Sequence, residues 1–393
     1  MATKTMHYDC AATCIYSEDG GQEQLAARLR EEIVRNAYGF ALVYFSKSAC
    51  TADTIVRMMA GEAPDLAYAA CSTAGEITPD GMTEGSIQII LFPKSQFAIE
   101  GLRLSSTSQR SIQEIAAEVS AFRAGFVEKH GEGGNRNLFA MSLMDGMSYS
   151  EEATTAAIHW GLDDLPLLGG SAGDDLNFLE TSLILNGRVF RGNAILLLVA
   201  TQLPVHIFKT DNFVPTDKKL VVTRSEPSRR IVHELNAAPA AAVYAGITGT
   251  DPATLNPQSF ASHPLVMKVG GEYYCRSIQK VNGDLSLSFF CAIDDGIVLT
   301  VAEPTGMARS TESCLHEVGE KLGHIDFILG FDCVLRRIDA RNRQVTHKIS
   351  ELYKENRVIG FNTYGEQYRS LHLNQTLTAV AFGAPGPAAG DAG

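Results

Sequence analysis

Two hydrophobic periods alternate along the chain and lay out its elements. Residues 22–36 carry apolar side chains at spacings of three and four and predict an amphipathic helix, while the apolar run Phe40–Phe45 predicts a buried strand. Thr51-Ala-Asp-Thr54 supplies capping residues for a helix to about Met59. Leu66–Cys71, Ser86–Phe92 and Phe97–Leu104 read as strands, Ser111–Phe126 as a long helix, and Leu138–Met144 as a strand. Ser148–Leu162 follows as a helix and Leu165–Leu168 as a strand. Thr181–Leu185 and Ala194–Thr201 flank Asn186-Gly187, a turn signal of the type I′ kind.

Pro204–Thr223 has few apolar pairs and two prolines, and a domain boundary is expected there. Beyond it, Arg230–Leu235 reads as a strand and Ala237–Ala245 as a helix. Leu265–Val269, Glu272–Ile278, Leu285–Ala292 and Gly296–Ala302 read as an antiparallel meander with Gly-Gly and Asn-Gly turns. Met307–Leu322 and Val345–Lys354 predict helices around a strand at Phe327–Leu335. Two apolar runs, Arg357–Phe361 and Leu377–Phe382, close the pattern as buried strands. Between them lie Tyr364, Glu366, Tyr368, Arg369, His372 and Asn374, a polar segment held by core strands at both ends. Such a segment suits a site; it equally suits a solvated connection.

Helices alternating with strands and a hairpin imply α/β architecture with mixed, largely antiparallel sheets flanked by helices. At 393 residues the chain exceeds one compact core, and the division expected is 24–220 and 230–383, with a disordered tail at 384–393. A net charge of -12 argues against nucleic acid or an anionic membrane as partner, and Lys218-Lys219 and Arg229-Arg230 are read as short surface pairs. The N-terminus has no apolar core of a signal peptide, and no apolar run approaches the roughly 18 residues of a membrane span. A cytoplasmic protein is expected. The eight cysteines are scattered and read as buried thiols; Cys10 and Cys14 are the close pair, without the second pair of a zinc finger.

Gly169-Gly-Ser171-Ala-Gly173 satisfies the G-x-S-x-G pattern of a hydrolase nucleophile elbow, but a hairpin signal follows where that elbow needs a helix. A tight Gly-rich turn facing a cleft or a domain interface is the expectation, with a serine hydrolase using Ser171 as an alternative. Ala70-Cys71-Ser-Thr-Ala-Gly-Glu76 ends a buried strand, where Ser72, Thr73 and Glu76 could line a pocket. No phosphate-binding or zinc-protease motif occurs. Arg276 and Arg336 stand beside core strands, where an arginine pairs with a carboxylate such as Glu366 or receives a ligand's carboxylate.

The terminal block Gly360-Phe-Asn-Thr-Tyr-Gly-Glu-Gln-Tyr368 with His372-Leu-Asn-Gln-Thr-Leu-Thr378 resembles the end of the FIST C-terminal domain. Phe331–Arg337, Tyr273–Ser277 and His263-Pro-Leu265 extend that resemblance, and Ala70–Ile77 with Leu168–Asp175 resemble the FIST N-terminal domain, so about residues 24–383 are covered in family order. The resemblance implies a cytosolic sensor without chemistry of its own, and within the family the chain looks like the NosP type, haem-containing nitric-oxide sensors. The cofactor so implied is haem, and the partner a separate sensor histidine kinase or cyclic-di-GMP enzyme; a homodimer is left open. An axial ligand must be a neutral imidazole facing an apolar slot, and His372 and His263 are the better placed of ten histidines. His372 is expected to hold the iron, with His263, Arg276, Tyr364 and Glu366 around the cofactor. A haem-free sensor of amino acids or similar small anions, using Arg276 or Arg336, is the alternative within the family.

Overall fold

The computed structural model describes residues 3–18, 21–105, 110–131 and 136–385; the expected tail lies, from 386 on, outside the described residues. Four mostly antiparallel sheets with helices on their outer faces confirm the mixed α/β class.

Three of the sheets are copies of one plan. The first unit runs through strand Thr13–Ser17, helix Gln22–Arg35, strand Tyr38–Phe45, helix Ala52–Glu62, strand Ala67–Ser72, the hairpin Glu76–Thr78/Gly81–Thr83 and strand Ile87–Pro93. The second repeats the order with Phe97–Ser105, helix Ile112–His130, Asn137–Asp145, helix Glu151–Leu162, Leu167–Ala172, the hairpin Leu183–Leu185/Arg188–Phe190 and Asn193–Thr201. The third has Val205–Thr210, helix Met307–Leu322, Ile325–Cys333, helices Val334–Asn342 and Thr346–Glu355, Val358–Thr363, the hairpin Glu366–Tyr368/Leu371–Leu373 and Leu377–Gly383. Between its first strand and first helix an eight-stranded module is inserted, from Phe213–Glu226 to Val298–Pro304.

In each unit the middle and third strands pair in parallel and every other pairing is antiparallel. Each hairpin leaves its own unit: the first unit's joins Val358–Thr363, the second's joins Ala67–Ser72, and the third's joins Leu167–Ala172. The division expected at 220/230 therefore does not separate two sets of sheets. Strand alternation explains the layering. Phe40, Leu42 and Tyr44, Phe139, Met141 and Leu143, and Phe327, Leu329 and Phe331 point into one shared core. Their neighbours pack against the helices of their own unit.

Local chemistry sets the helix starts. Ser111 and Glu114 form a reciprocal capping box, and Thr51 Oγ1 accepts from the amide of Thr54 at 3.2 Å. The expected turn at Asn186-Gly187 is present, with φ of 48° and 81°, but it joins Leu183–Leu185 to Arg188–Phe190 and not to the strand after it. Two expectations are corrected. Gly169-Gly170-Ser171 is not a turn but the middle of a strand, and the strand from Ile325 ends at Cys333, so Arg336 and Arg337 begin a helix.

Candidate functional site

The third strands of the three units meet at their carboxyl ends. Three equivalent bonds close a ring there: the amide of Ala74 donates to the carbonyl of Asn362 at 3.0 Å, Gly173 to Ser72 at 3.0 Å, and Tyr364 to Ser171 at 3.1 Å. The segments involved are Ser72-Thr-Ala-Gly-Glu76, Ser171-Ala-Gly-Asp-Asp175 and Asn362-Thr-Tyr-Gly-Glu366, so three stretches that stand out in the sequence are one motif used three times. Small residues at the crossing are required: a Cβ on Gly169 would stand 2.2 Å from the carbonyl oxygen of Ser142, and one on Gly170 would stand 2.4 Å from Thr363 Cγ2.

The three junctions differ in what fills them. Lys47 pairs with Glu180 at 3.0 Å and the amide of Ser48 donates to Asp175 at 2.8 Å, where the second unit's hairpin meets the first unit. Arg337 reaches Glu84 at 3.5 Å where the first unit's hairpin meets the third. The junction of the second and third units is open, a cleft of about 240 Å³. Tyr364 stands in it at the place taken by Ala74 and Gly173 in the other copies. Gly146 and Met147 of the second unit, Val334 and Leu335 of the third, and Arg229, Arg230, Lys280 and Phe290 of the inserted module complete the wall. Phe178 stacks on Tyr364 with ring centroids 4.7 Å apart, and the Tyr149 ring lies 4.9 Å from the Arg230 guanidinium. Among the described residues, three cations, five aromatic rings and no carboxylate line this cleft.

Arg230 is not the surface residue expected: it is 7% exposed, with φ of 56°, and ties the module to the second unit. Its guanidinium donates to Glu151 at 2.6 Å, to Glu152 at 3.2 Å and to the carbonyl of Phe290 at 2.7 Å. Burial pushes the Glu151 carboxyl up to about 7 despite Arg230. At Glu152 burial is outweighed by His372 and Arg230, with the amide of Ala292 adding to them, and the carboxyl stays below its usual range. Arg230, Tyr149 and Phe178 were not found from sequence, since no pattern separates buried Arg230 from exposed Arg229. Two adjacent glutamates at the start of an apolar helix were the available signal.

The expected site residues are only partly brought together. Tyr364 lines the cleft, and its hydroxyl donates to Asp174. His372 lies behind it, 2% exposed, with Gly365 against its ring, and Arg276 donates to its carbonyl at 2.9 Å. Glu366 is buried and held by the hydroxyls of Thr363 and Thr376, so it is no partner of an arginine. Burial raises its carboxyl to about 8, as it does that of Glu76. Arg336 pairs instead with Asp332 at 2.7 Å. His263, half-buried at the end of helix Pro257–Ser262, is outside the cleft lining, and Tyr244 Oη donates to its carbonyl at 2.8 Å.

Ser171 has no base beside it. It is buried, and its Oγ accepts from the Gln367 amide at 3.0 Å. The same Gln367 nitrogen meets His372 Nδ1 at 3.1 Å. An imidazole that accepts at Nδ1 carries its proton on Nε2, which is the wrong tautomer for binding iron there. Gly365 also crowds the Nε2 edge, and the cleft has no histidine in its lining. At about 240 Å³ the cleft is below the roughly 300–1,000 Å³ of pockets that hold drug-sized ligands, and haem is no smaller than those. The residues at His372 and in the cleft do not fit it in this arrangement. Among the described residues no group of three or more His, Cys, Asp or Glu is placed to hold a metal ion, and no helix is long and apolar enough to cross a membrane.

The sequence profile of the FIST N domain matches residues 39–238 and that of the FIST C domain matches residues 240–369. The chain belongs to the FIST family, whose domains are small-ligand sensors of signalling proteins. No match is found among curated proteins. Solved structures similar to it include a chorismatase, at 8% identity over 97% of this chain and 98% of that one with a TM-score of 0.37. Another is PurLQS from Thermotoga maritima, at 9% identity over 98% of this chain and 75% of that one with a TM-score of 0.19.

Proposed function

We propose that this FIST-family sensor responds to a small anion with a ring or other flat apolar body, bound in the cleft between the second unit, the third unit and the inserted module. The observation that carries this reading is the lining itself: Arg229, Arg230 and Lys280 with Tyr149, Phe178, Phe289, Phe290 and Tyr364, and no carboxylate. Arg229 and Arg230 are each paired with carboxylates outside the lining, Glu226 and Glu151 with Glu152. That leaves Lys280 as the lining cation without a carboxylate partner among the described residues; it attracts an anion, and the aromatic faces hold a flat body. At about 240 Å³ the space suits a ligand below drug size. The ligand would touch the module and both units at once, so its binding energy would act on their relative placement. No step of chemistry is assigned to it. For the output we infer a histidine kinase or a cyclic-di-GMP enzyme as partner.

Thermal unfolding against a panel of small carboxylates and phosphates, with and without a ring, tests this reading. Ring-bearing anions should raise the melting temperature in a saturable way. In the same protein, titration with haem distinguishes the nitric-oxide reading: a stoichiometric Soret band that is lost in His372→Ala, with no response to any anion, would replace this proposal.

A further inference from the structure

Arg276 is a guanidinium 6% exposed whose hydrogen-bond partners among the described residues are neutral: the carbonyl of His372, 2.9 Å from Nη1, and the thiol of Cys291. The comparably buried Arg230 and Arg336 each have carboxylates, at 2.6 Å and 2.7 Å. Burial pushes the neighbouring thiols Cys275 and Cys291 up to about 12 and about 11, so neither offers a negative charge near neutral pH. Burial also pushes His372 down to about 4, and Arg230 and Arg276 add to that shift. Glu152, the carboxylate that His372 feels, is engaged by Arg230 and by the amide of Ala292. Arg230 Nε and His372 Nε2 are also buried without an acceptor, the latter with its edge covered by Gly365. A buried cation without a carboxylate partner is strongly unfavourable unless an anion joins it.

The position is one residue layer behind the cleft. Phe290 lines the cleft, and its amide donates to the carbonyl of Ser277, next to Arg276, at 2.9 Å. On the opposite side Tyr364 lines the cleft, and Gly365 after it lies so close to His372 that a Cβ there would stand 2.3 Å from the ring. We propose that Arg276 anchors an anion subsite behind the Phe290–Tyr364 wall, and that it takes a carboxylate: the acid group of the cleft's ligand or a free small acid. The planar fork of a guanidinium matches two carboxylate oxygens, which an ammonium cannot do. The first source rests on the cleft reading; the second does not.

The test is thermal unfolding of the full chain while acetate, or benzoate, replaces gluconate at constant ionic strength. In wild type the melting temperature should rise saturably with at least one of the two acids. Arg276→Lys should move half-saturation up at least about tenfold, the loss expected of a charge-assisted bond. Arg276→Met should abolish the response; if it fails to fold, the lysine variant carries the comparison. A response to acetate that survives Tyr364→Ala identifies a free acid, and a response to benzoate alone, lost in Tyr364→Ala, identifies the cleft ligand. A saturable rise unchanged in Arg276→Lys, or none with either acid in wild type, overturns the subsite. The cleft reading fails separately, if ring-bearing anions bind Tyr364→Ala as they bind wild type.

Discussion

Glu76 and Glu366 occupy the same place in two copies of one unit. Thr73 donates to Glu76 as Thr363 donates to Glu366, and the second oxygen of each accepts from a main-chain amide, that of Ser86 at 3.2 Å and that of Thr376 at 3.3 Å. Both carboxyls are wholly buried just where a hairpin leaves its own sheet for the next one.

Their proton is linked to stability. Each carboxyl is raised by burial from 4.5 to about 8. The folded chain therefore binds more protons than the unfolded chain between those values, and stability falls as pH rises through them. His372 acts the other way, but only between about 4 and 6.5, so above pH 6.5 the carboxyl effect stands without it. Glu76→Gln with Glu366→Gln should flatten the decline in urea midpoint between pH 6.5 and 8.5. An equally steep decline in the double variant would show that these groups do not titrate with folding.

The ion pairs that hold the inserted module give a second expectation. Arg230→Met leaves Glu151, 2% exposed, without its cation, and should cost about 3–5 kcal/mol. The loss should be larger at pH 8 than at pH 6, because Glu151 can escape it by taking up a proton. Adding Glu151→Gln should recover part of it. Urea denaturation of the two variants at both pH values checks this, and an equal loss at the two would contradict it.

Packing decides the third. Gly170→Ala would press a methyl group towards Thr363 Cγ2, Phe331 and Phe361 and should cost about 1–3 kcal/mol. Ser171→Ala removes the Gln367 bond, worth about 1 kcal/mol. Urea midpoints should fall further for the glycine variant than for the serine variant. Abolition of a measurable esterase activity by Ser171→Ala, in a folded protein, would restore the hydrolase reading.

These sites show what could be read in the sequence. Helix Met307–Leu322 and the turn at Asn186-Gly187 were legible because spacing and turn chemistry are local. The exchange of hairpins was not, since the pattern of Glu366–Leu373 states that a strand exists but not that Leu168 is its neighbour. Gly169-Gly170 misled because glycine marks close strand contact as readily as a turn. In the candidate site Tyr364 carried a signal from its setting between core strands. Arg230 did not, because its burial depends on Glu151 and Glu152, far away in sequence.

The central claim is that the ligand sits against Tyr364, in the cleft. Isothermal titration of the ring-bearing anion that most stabilises wild type, repeated with Tyr364→Ala, tests it most directly. Stacking on an aromatic ring contributes about 0.5–1.5 kcal/mol beyond area burial, so affinity should drop about two- to twelvefold. An affinity unchanged in Tyr364→Ala would place the ligand elsewhere and contradict the account.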